Sequence, residues 1–303
     1  YHGDTIGSVS LGGIPLFHQS YSPLLFPTYR SEAPYCYRCH LGLRFPSCRL
    51  ACGDDVEKTI RKQRDELAAV IVEPLVQGAA GMLIWPRGYL KKISEICKKN
   101  QVLLILDEVF TGFGRTGKMF ACQHEGIQPD LMALSKGLTG GYMPLAATLT
   151  SLEVYEAFLG RYDEFKTFFH GHSFTGNQLG CALALANLKL FKREGILRKT
   201  ARRSRVLAQS LAPLKNHSKV GDIRQVGLIA AVEMVKDKAT GEAFHLEDRI
   251  GHRIAREAQD RGMIIRPLGN VVSLIPPLSA TEAQIRKMGR IVCDSIRAVC
   301  PEE

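Results

Sequence analysis

Four short apolar runs set the architecture of this chain. AAVIVEP (68–74), VLLILDE (102–108), LMALSK (131–136) and LAATLT (145–150) are rich in Val, Ile and Leu and too short for core helices. They have the texture of buried strands. Between the first two, Leu90, Ile93, Ile96 and Cys97 share one face and predict a helix over about 89–100. The fourth run is reached through the turn GLTGG (137–141). Apolar strands alternating with amphipathic helices predict an α/β sheet covered on both faces. A long helix is expected over about 178–193, with Ala and Leu on its buried side.

After Gly195 the texture changes. A basic helix (196–212) leads to two strands, GDIRQVG and LIAAVEMV, then to a helix at about 247–261. Strands are expected near 263–266 and 271–275. The last helix covers 281–299, with Thr281 as its cap and Glu282 in its first turn. This is α+β texture. Residues 1–195 are therefore expected to form a large α/β domain and residues 196–303 a smaller C-terminal α+β domain. The chain opens on Tyr1 and runs directly into a patterned segment, so an upstream region is expected to precede it and complete the first domain.

Composition narrows the partners. Of the 303 residues, 45% are hydrophobic and 23% charged, which is ordinary for a globular protein and argues against disorder. No run of about 18 apolar residues occurs, so no membrane span is expected. The net charge of +10 raises the question of nucleic acid. The basic residues, however, lie on helix faces (Lys91, Lys92, Lys98 and Lys99; Arg198, Lys199, Arg202, Arg203 and Arg205) with no interleaved aromatics. A solvated helix face explains them better than a strand-binding surface. Small-molecule substrates are expected instead.

The nine cysteines are odd in number and irregularly spaced, which is not a disulfide framework. Cys97, Cys122, Cys181 and Cys293 sit among apolar residues and are expected in the core. A reducing, cytoplasmic compartment follows. Cys36, Cys39, Cys48 and Cys52 form C-x2-C-x8-C-x3-C, and four thiols so close together could hold zinc. The central spacer is shorter than in zinc ribbons, so the favoured expectation is no metal: a loop of free thiols before a helix starting near Asp54.

In parallel α/β sheets, function collects at the carboxyl ends of the strands. Asp107 ends VLLIL and Lys136 ends LMALS. Alone, that pair reads more readily as a structural ion pair. Asp107, however, opens DEVFTGFGRTGKMFA, and Lys136 opens KGLTGG, whose glycines permit a tight turn beside a bound group. Pyridoxal phosphate needs an amine, an anion beside its ring nitrogen, an aromatic on its ring face and donors for its phosphate. The sequence offers Lys136, Asp107, Tyr1 and HGHSFTGN (170–177). A helix begins just after that segment, and its first amides suit an anion.

DEVFTGFGRTGKMFA followed by PDLMALSKGLTGG resembles the signature of class III aminotransferases of fold type I. YHGDTIGSVSLGG, LTGGYMPLAATLT, HGHSFTGNQLGCA and IRPLGN extend the resemblance over the whole chain. It implies a pyridoxal 5'-phosphate transaminase with a ping-pong cycle and Lys136 as the Schiff-base lysine. It implies Asp107 as partner of the pyridinium nitrogen, and Tyr1 against cofactor and substrate with Asp4 close by. Gly171, His172 and Ser173 match a segment that in the family crosses a homodimer interface to the neighbouring cofactor and substrate. Many relatives have Pro–Thr at 172–173; Ser173 keeps the hydroxyl for phosphate. Arg266 matches the arginine that pairs with a substrate carboxylate. The proton-transfer role implied for Lys136 requires it neutral, which a desolvated site would favour. On the residues alone, His2 and His170 are more often structural, Tyr1 is terminal, and Arg266 could bond a carbonyl. A transaminase with other ω-amino acid or diamine substrates and a non-catalytic fragment remain alternative readings.

Overall fold

The computed structural model describes residues 1–302; Glu303, the last residue of the expected C-terminal domain, lies outside the described residues. Helices α1 (Ile6–Leu11) and α2 (Pro15–His18) open the chain, and an irregular stretch carrying the cysteine loop leads into α3 (Cys52–Lys62). Strand β1 (Ala69–Val72) follows, then the small hairpin of β2 (Val76–Gln77) and β3 (Leu83–Ile84). Next come α4 (Tyr89–Asn100), β4 (Leu103–Asp107), β5 (Leu131–Leu134), β6 (Ala147–Thr150), α5 (Leu152–Glu156) and α6 (Gln178–Arg193).

The first sheet has the order β1-β4-β5-β6. β1, β4 and β5 are parallel, with Val72 beside Leu106 and Asp107 beside Ala133. α4 supplies the return between β1 and β4, as a parallel pair requires. Its Leu90, Ile93, Ile96 and Cys97 are buried, as the apolar spacing predicts. β6 runs antiparallel to β5 because the short glycine-rich connection cannot cross back over the sheet.

The second part contains α7 (Ile196–Leu211), β7 (Val220–Val226), β8 (Ile229–Asp237), β9 (Glu242–Ala243), α8 (Ile250–Asp260), β10 (Pro267–Leu268), β11 (Val271–Leu274) and α9 (Glu282–Val299). Its antiparallel sheet has the order β10-β11-β8-β7. Leu207, Leu211, Ile254, Ile285, Val292 and Ile296 make a second core of their own. Thr281 caps α9: its hydroxyl accepts from Gln284 N at 3.2 Å, while Gln284 Oε1 accepts from Thr281 N at 2.8 Å. Glu282 stands in the first turn as expected. The two parts are joined through polar bonds. Arg224 on β7 donates to the carbonyls of Met82 (2.8 Å) and Gly81 (2.6 Å), and also to Glu233 Oε2 (2.7 Å).

Several expectations fail, for related reasons. Residues 263–266 are not a strand; the pairing begins at Pro267, and Ile264 stands in solvent. The sheet is not covered on both faces at its β6 end, where Thr148, Leu149 and Thr150 are exposed. α6 buries only Gly180 and Ala184, and Cys181 is exposed rather than core. HGHSFTGN and the run FKTFF (165–169) before it lie on the surface; of these residues only Asn177 is even partly buried. Apolar patterning marks a surface suited to burial without saying what buries it, and within these residues nothing does. Among the described residues, no helix is long and apolar enough to cross a membrane.

Candidate active site

The carboxyl ends of β1, β4 and β5 lie side by side, and each leads into a functional side chain. β1 is followed by Glu73, β4 ends on Asp107, and Lys136 comes just after β5. Asp107 is level with Ala133, and Lys136 follows three residues later, where the chain has left β5 and turns.

Asp107 is buried, and both its oxygens carry donors. Oδ1 accepts from Val109 N at 3.0 Å, and Oδ2 lies 2.8 Å from His2 Nδ1. Its neighbour Glu108 points the other way, accepting from Thr111 Oγ1 at 2.6 Å, Ala121 N at 2.9 Å and Cys122 N at 2.8 Å. Burial raises the Glu108 carboxyl above its ordinary range, against the opposing pull of those three donors. The adjacent acids therefore divide the work: Glu108 ties down the 108–122 loop and Asp107 faces the site.

Lys136 adopts φ +41°, a left-handed conformation that side chains other than Gly rarely take. The turn around it is fixed from several sides. Ser135 Oγ donates to the Leu145 carbonyl at 2.9 Å, and Asn187 Nδ2 donates to the carbonyls of Gly137 (2.8 Å) and Leu138 (3.0 Å). Gly137 permits the closest approach, since a Cβ there would lie 2.6 Å from Phe113 Cβ. The Lys136 side chain is exposed rather than desolvated, contrary to expectation, with Nζ 5.3 Å from the centre of the Phe110 ring. Phe110 is backed by Gly78, where a Cβ would come within 3.1 Å of the ring.

Tyr1 packs edge-on against Phe17 at 5.8 Å. Its nitrogen donates to Glu73 Oε1 at 3.1 Å, and its hydroxyl donates to Asp4 Oδ1 at 2.7 Å. The hydrogen bond to Asp4 raises the Tyr1 phenol pKa, with burial and the Asp4 charge adding, while the positive charge of Arg266 opposes them. Arg266 is exposed, and its charge is felt at the Tyr1 hydroxyl. Tyr1 and His2 thus tie Asp4, Glu73 and Asp107 together, while Lys136 follows the neighbouring strand β5. Gly171, His172 and Ser173 are not part of this set: they lie on an exposed turn closed on itself, where His172 N donates to Thr175 Oγ1 at 3.0 Å and Phe174 N to His172 Nδ1 at 3.2 Å.

A model of the aminotransferase class-III family matches residues 1–296. The chain belongs to the class III aminotransferases. This class III chain is 54% identical over 286 residues to the adenosylmethionine-8-amino-7-oxononanoate aminotransferase of Geobacter sulfurreducens, covering 94% of itself and 63% of that relative. It is 52% identical over 299 residues to the protein of the same name from Nitratidesulfovibrio vulgaris, covering 99% and 55%. It thus spans only about three fifths of these relatives' length. The crystal structure of adenosylmethionine-8-amino-7-oxononanoate aminotransferase from Methanocaldococcus jannaschii superposes with a TM-score of 0.91 at 42% identity, covering 98% of this chain and 66% of that one. A thermostable omega transaminase mutant from Pseudomonas jessenii gives 0.91 at 35% identity, covering 99% and 68%. The α/β architecture is therefore that of fold type I enzymes.

Pyridoxal phosphate is the cofactor of this class, and the residues fit its ring end. The buried carboxylate of Asp107, the amine of Lys136 and the rings of Phe110 and Tyr1 are of the chemistry that such a ring requires. The phosphate end is less complete, because Ser173 lies on the exposed turn. Glu73 and Phe110 belong to the site but did not emerge from motif reading, and His2 was weighed as structural. Glu73 carried a usable signal: like Asp107, it ends a purely apolar run.

Cys36, Cys39, Cys48 and Cys52 line one enclosed cavity with Tyr35, His40 and Phe45. All four are free thiols; burial raises the Cys36 and Cys52 pKa, and the neighbouring thiols add to it. Among the described residues, no group of three His, Cys, Asp or Glu side chains is arranged to hold a metal. The helix after the loop begins at Cys52, two residues before the expected start.

Proposed function

We propose that this chain is the greater part of an aminotransferase that converts 8-amino-7-oxononanoate to 7,8-diaminononanoate, a step of biotin biosynthesis, with S-adenosylmethionine or lysine as amino donor. The observation that carries the chemistry is the pairing of buried Asp107 with Lys136 at the ends of neighbouring parallel strands. The relatives' shared name supports the substrate. Residues 1–195 form the cofactor-binding domain in this reading and residues 196–303 the smaller one. The free cysteines support a cytoplasmic location.

Pyridoxal phosphate, when bound, supplies an electron-poor ring that lets a proton leave the carbon bearing the transferred amino group. Lys136 Nζ would hold it covalently, and Asp107 would hold its ring nitrogen. The free Lys136 Nζ would be the base that takes the proton and the acid that returns it. Tyr1 and Phe110 wall the site, and Asp4 fixes the Tyr1 hydroxyl. Arg266 binds the substrate carboxylate through its guanidinium fork. Ser173, with Gly171 and His172, would serve the site of a second copy in a homodimer. No nucleic acid or membrane enters this reading.

The test is chemical. After incubation with pyridoxal phosphate and borohydride reduction, peptide mass spectrometry should place the pyridoxyl group on Lys136. An adduct on another lysine, with Lys136 unmodified, overturns the assignment. The likeness to an omega transaminase supports a second reading, a transaminase acting on another ω-amino acid or diamine. Turnover of 8-amino-7-oxononanoate against such substrates separates the two. A catalytically incompetent fragment would turn over neither.

A further inference from the structure

The turn that carries Lys136 is held from a distant helix. Leu138 N donates to the Ser135 carbonyl at 2.9 Å, but the next bonds of the turn are long: Thr139 N to the Lys136 carbonyl and Gly140 N to the Gly137 carbonyl, each at 3.4 Å. The hydroxyls of Ser135 and Thr139 reach the carbonyls of Leu145 and Met143, on the way into β6. The carbonyls just after the lysine are held from α6 instead. Asn187, half-buried and 50 residues beyond Gly137, donates from Nδ2 to the Gly137 carbonyl at 2.8 Å and to the Leu138 carbonyl at 3.0 Å. Both partners are oxygens, so the amide nitrogen faces them, with one hydrogen for each. Among the described residues, the Leu138 carbonyl has no other donor. Among the same residues, Asn187 is the one side chain of α6 that hydrogen-bonds beyond the helix and its cap, Glu194.

We infer that Asn187 is a positioning residue for Lys136: its amide clamps the two carbonyls that follow the lysine and so keeps Lys136 at φ +41°, the conformation that sets Nζ over the Phe110 ring. The inference rests on the cofactor reading above and adds a residue to it. A residue with a β-carbon leaves the left-handed region unless its surroundings hold it there. Gly137 has no side chain to resist rotation of its own backbone. Without Asn187 the peptides after the lysine are free to turn, Lys136 relaxes towards an ordinary conformation, and Nζ moves with it. The strand before the lysine and the rest of the site stay as they are.

Two forms of the cofactor separate this role from simple packing. Pyridoxal phosphate condenses with the lysine: its aldehyde carbon becomes doubly bonded to Nζ, and its oxygen leaves as water with the two amine hydrogens. Pyridoxamine phosphate has an amine in place of the aldehyde, cannot condense, and uses only the rest of the site. Equilibrium dialysis of each against the parent chain, Asn187→Leu, Asn187→Asp and Asn187→Gln measures the effect. Asn187→Leu keeps the bulk and removes both donors. Asn187→Asp sets acceptors against the two carbonyls, and Asn187→Gln returns the amide on a longer arm. Affinity for pyridoxal phosphate should fall about tenfold in Asn187→Leu and Asn187→Asp, the scale of two ordinary hydrogen bonds, with affinity for pyridoxamine phosphate changed less than about twofold. Asn187→Gln should recover most of the loss. Equal losses for both forms, or no loss for pyridoxal phosphate, overturn the proposal. If Asn187→Leu does not fold, Asn187→Ser, smaller and with a single donor, carries the same comparison. Failure of the parent chain to bind either form would instead bring down the cofactor reading, and this inference with it.

Discussion

Lys136 and Asp107 face the same site in different backbone states, and their variants should fail differently. Lys136 sits at φ +41°, a strained position for a side chain with a β-carbon, and such strain is typical of a functional residue. Lys136→Ala should lower turnover by at least about 10²–10⁴-fold, the range for a lost general acid–base, while thermal unfolding changes little because the side chain is exposed. Single-turnover kinetics on cofactor-loaded protein measure this. Asp107→Asn removes the anion but keeps the volume. It should lower kcat on the order of 10²-fold, as loss of one preorganised electrostatic contact does, with a smaller change in KM. Turnover near normal in Asp107→Asn would exclude the electron-sink role. Both residues were legible in the sequence, because a charge ending a buried apolar run is conspicuous. His2 was not: an isolated histidine near a chain end has no pattern, and only the fold brings it within 2.8 Å of Asp107.

Elements place these residues, and the turn after β5 is the most demanding. Gly137→Ala would set a Cβ 2.6 Å from Phe113 Cβ. Overpacking of this kind costs about 1–3 kcal/mol, and here the strain falls on the residue next to Lys136. Cofactor affinity should drop together with the unfolding temperature, and calorimetry with dialysis checks both. The seam between the two cores gives a pH prediction. Burial alone would raise the Glu233 carboxyl, but hydrogen bonds from Tyr35, Arg38 and Arg224 outweigh it and hold the pKa below its ordinary 4.5. A carboxyl with a depressed folded pKa contributes stability above its unfolded value and loses it as pH falls through the folded one. Stability should therefore decline below about pH 4.5, and Glu233→Gln should flatten that decline in denaturant titrations at pH 3 to 6. Breaking the pair from the other side with Arg224→Met leaves Glu233 buried without its main partner, at a cost of about 3–5 kcal/mol. Helix positions here were readable to within a few residues, since α4 and α9 carry an apolar face and α9 opens on the Thr281 cap. The Arg224–Glu233 seam was not readable, because residues on neighbouring strands reach it together with Tyr35 from the cysteine loop.

At the scale of the whole molecule, one stretch of the chain is apolar enough for burial and is left open. Tyr142, Leu152, Tyr162, Phe165, Phe169, Phe174 and Leu179 are each more than two-thirds exposed, and they cluster between residues 142 and 179 of the sequence. Apolar patches of this extent on a folded surface mark an interface. The Gly171–Ser173 turn lies within that stretch and does not reach its own Lys136. In the proposed homodimer it serves the partner's site, and two-fold symmetry makes the exchange mutual. That arrangement predicts complementation. A Lys136→Ala subunit lacks the amine but offers an intact Ser173. A Ser173→Glu subunit keeps Lys136 but brings a negative side chain to the partner's phosphate. Each variant alone should be nearly inactive. In the mixed dimer one site carries both defects and the other neither. Random pairing at equal amounts makes half the dimers mixed, so activity should return to about a quarter of the unaltered protein. Assays before and after subunit exchange, with exchange followed by native mass spectrometry, measure this. Activity that stays flat while mixed dimers form would show that each site is built from one chain, and the exposed turn would then need another role.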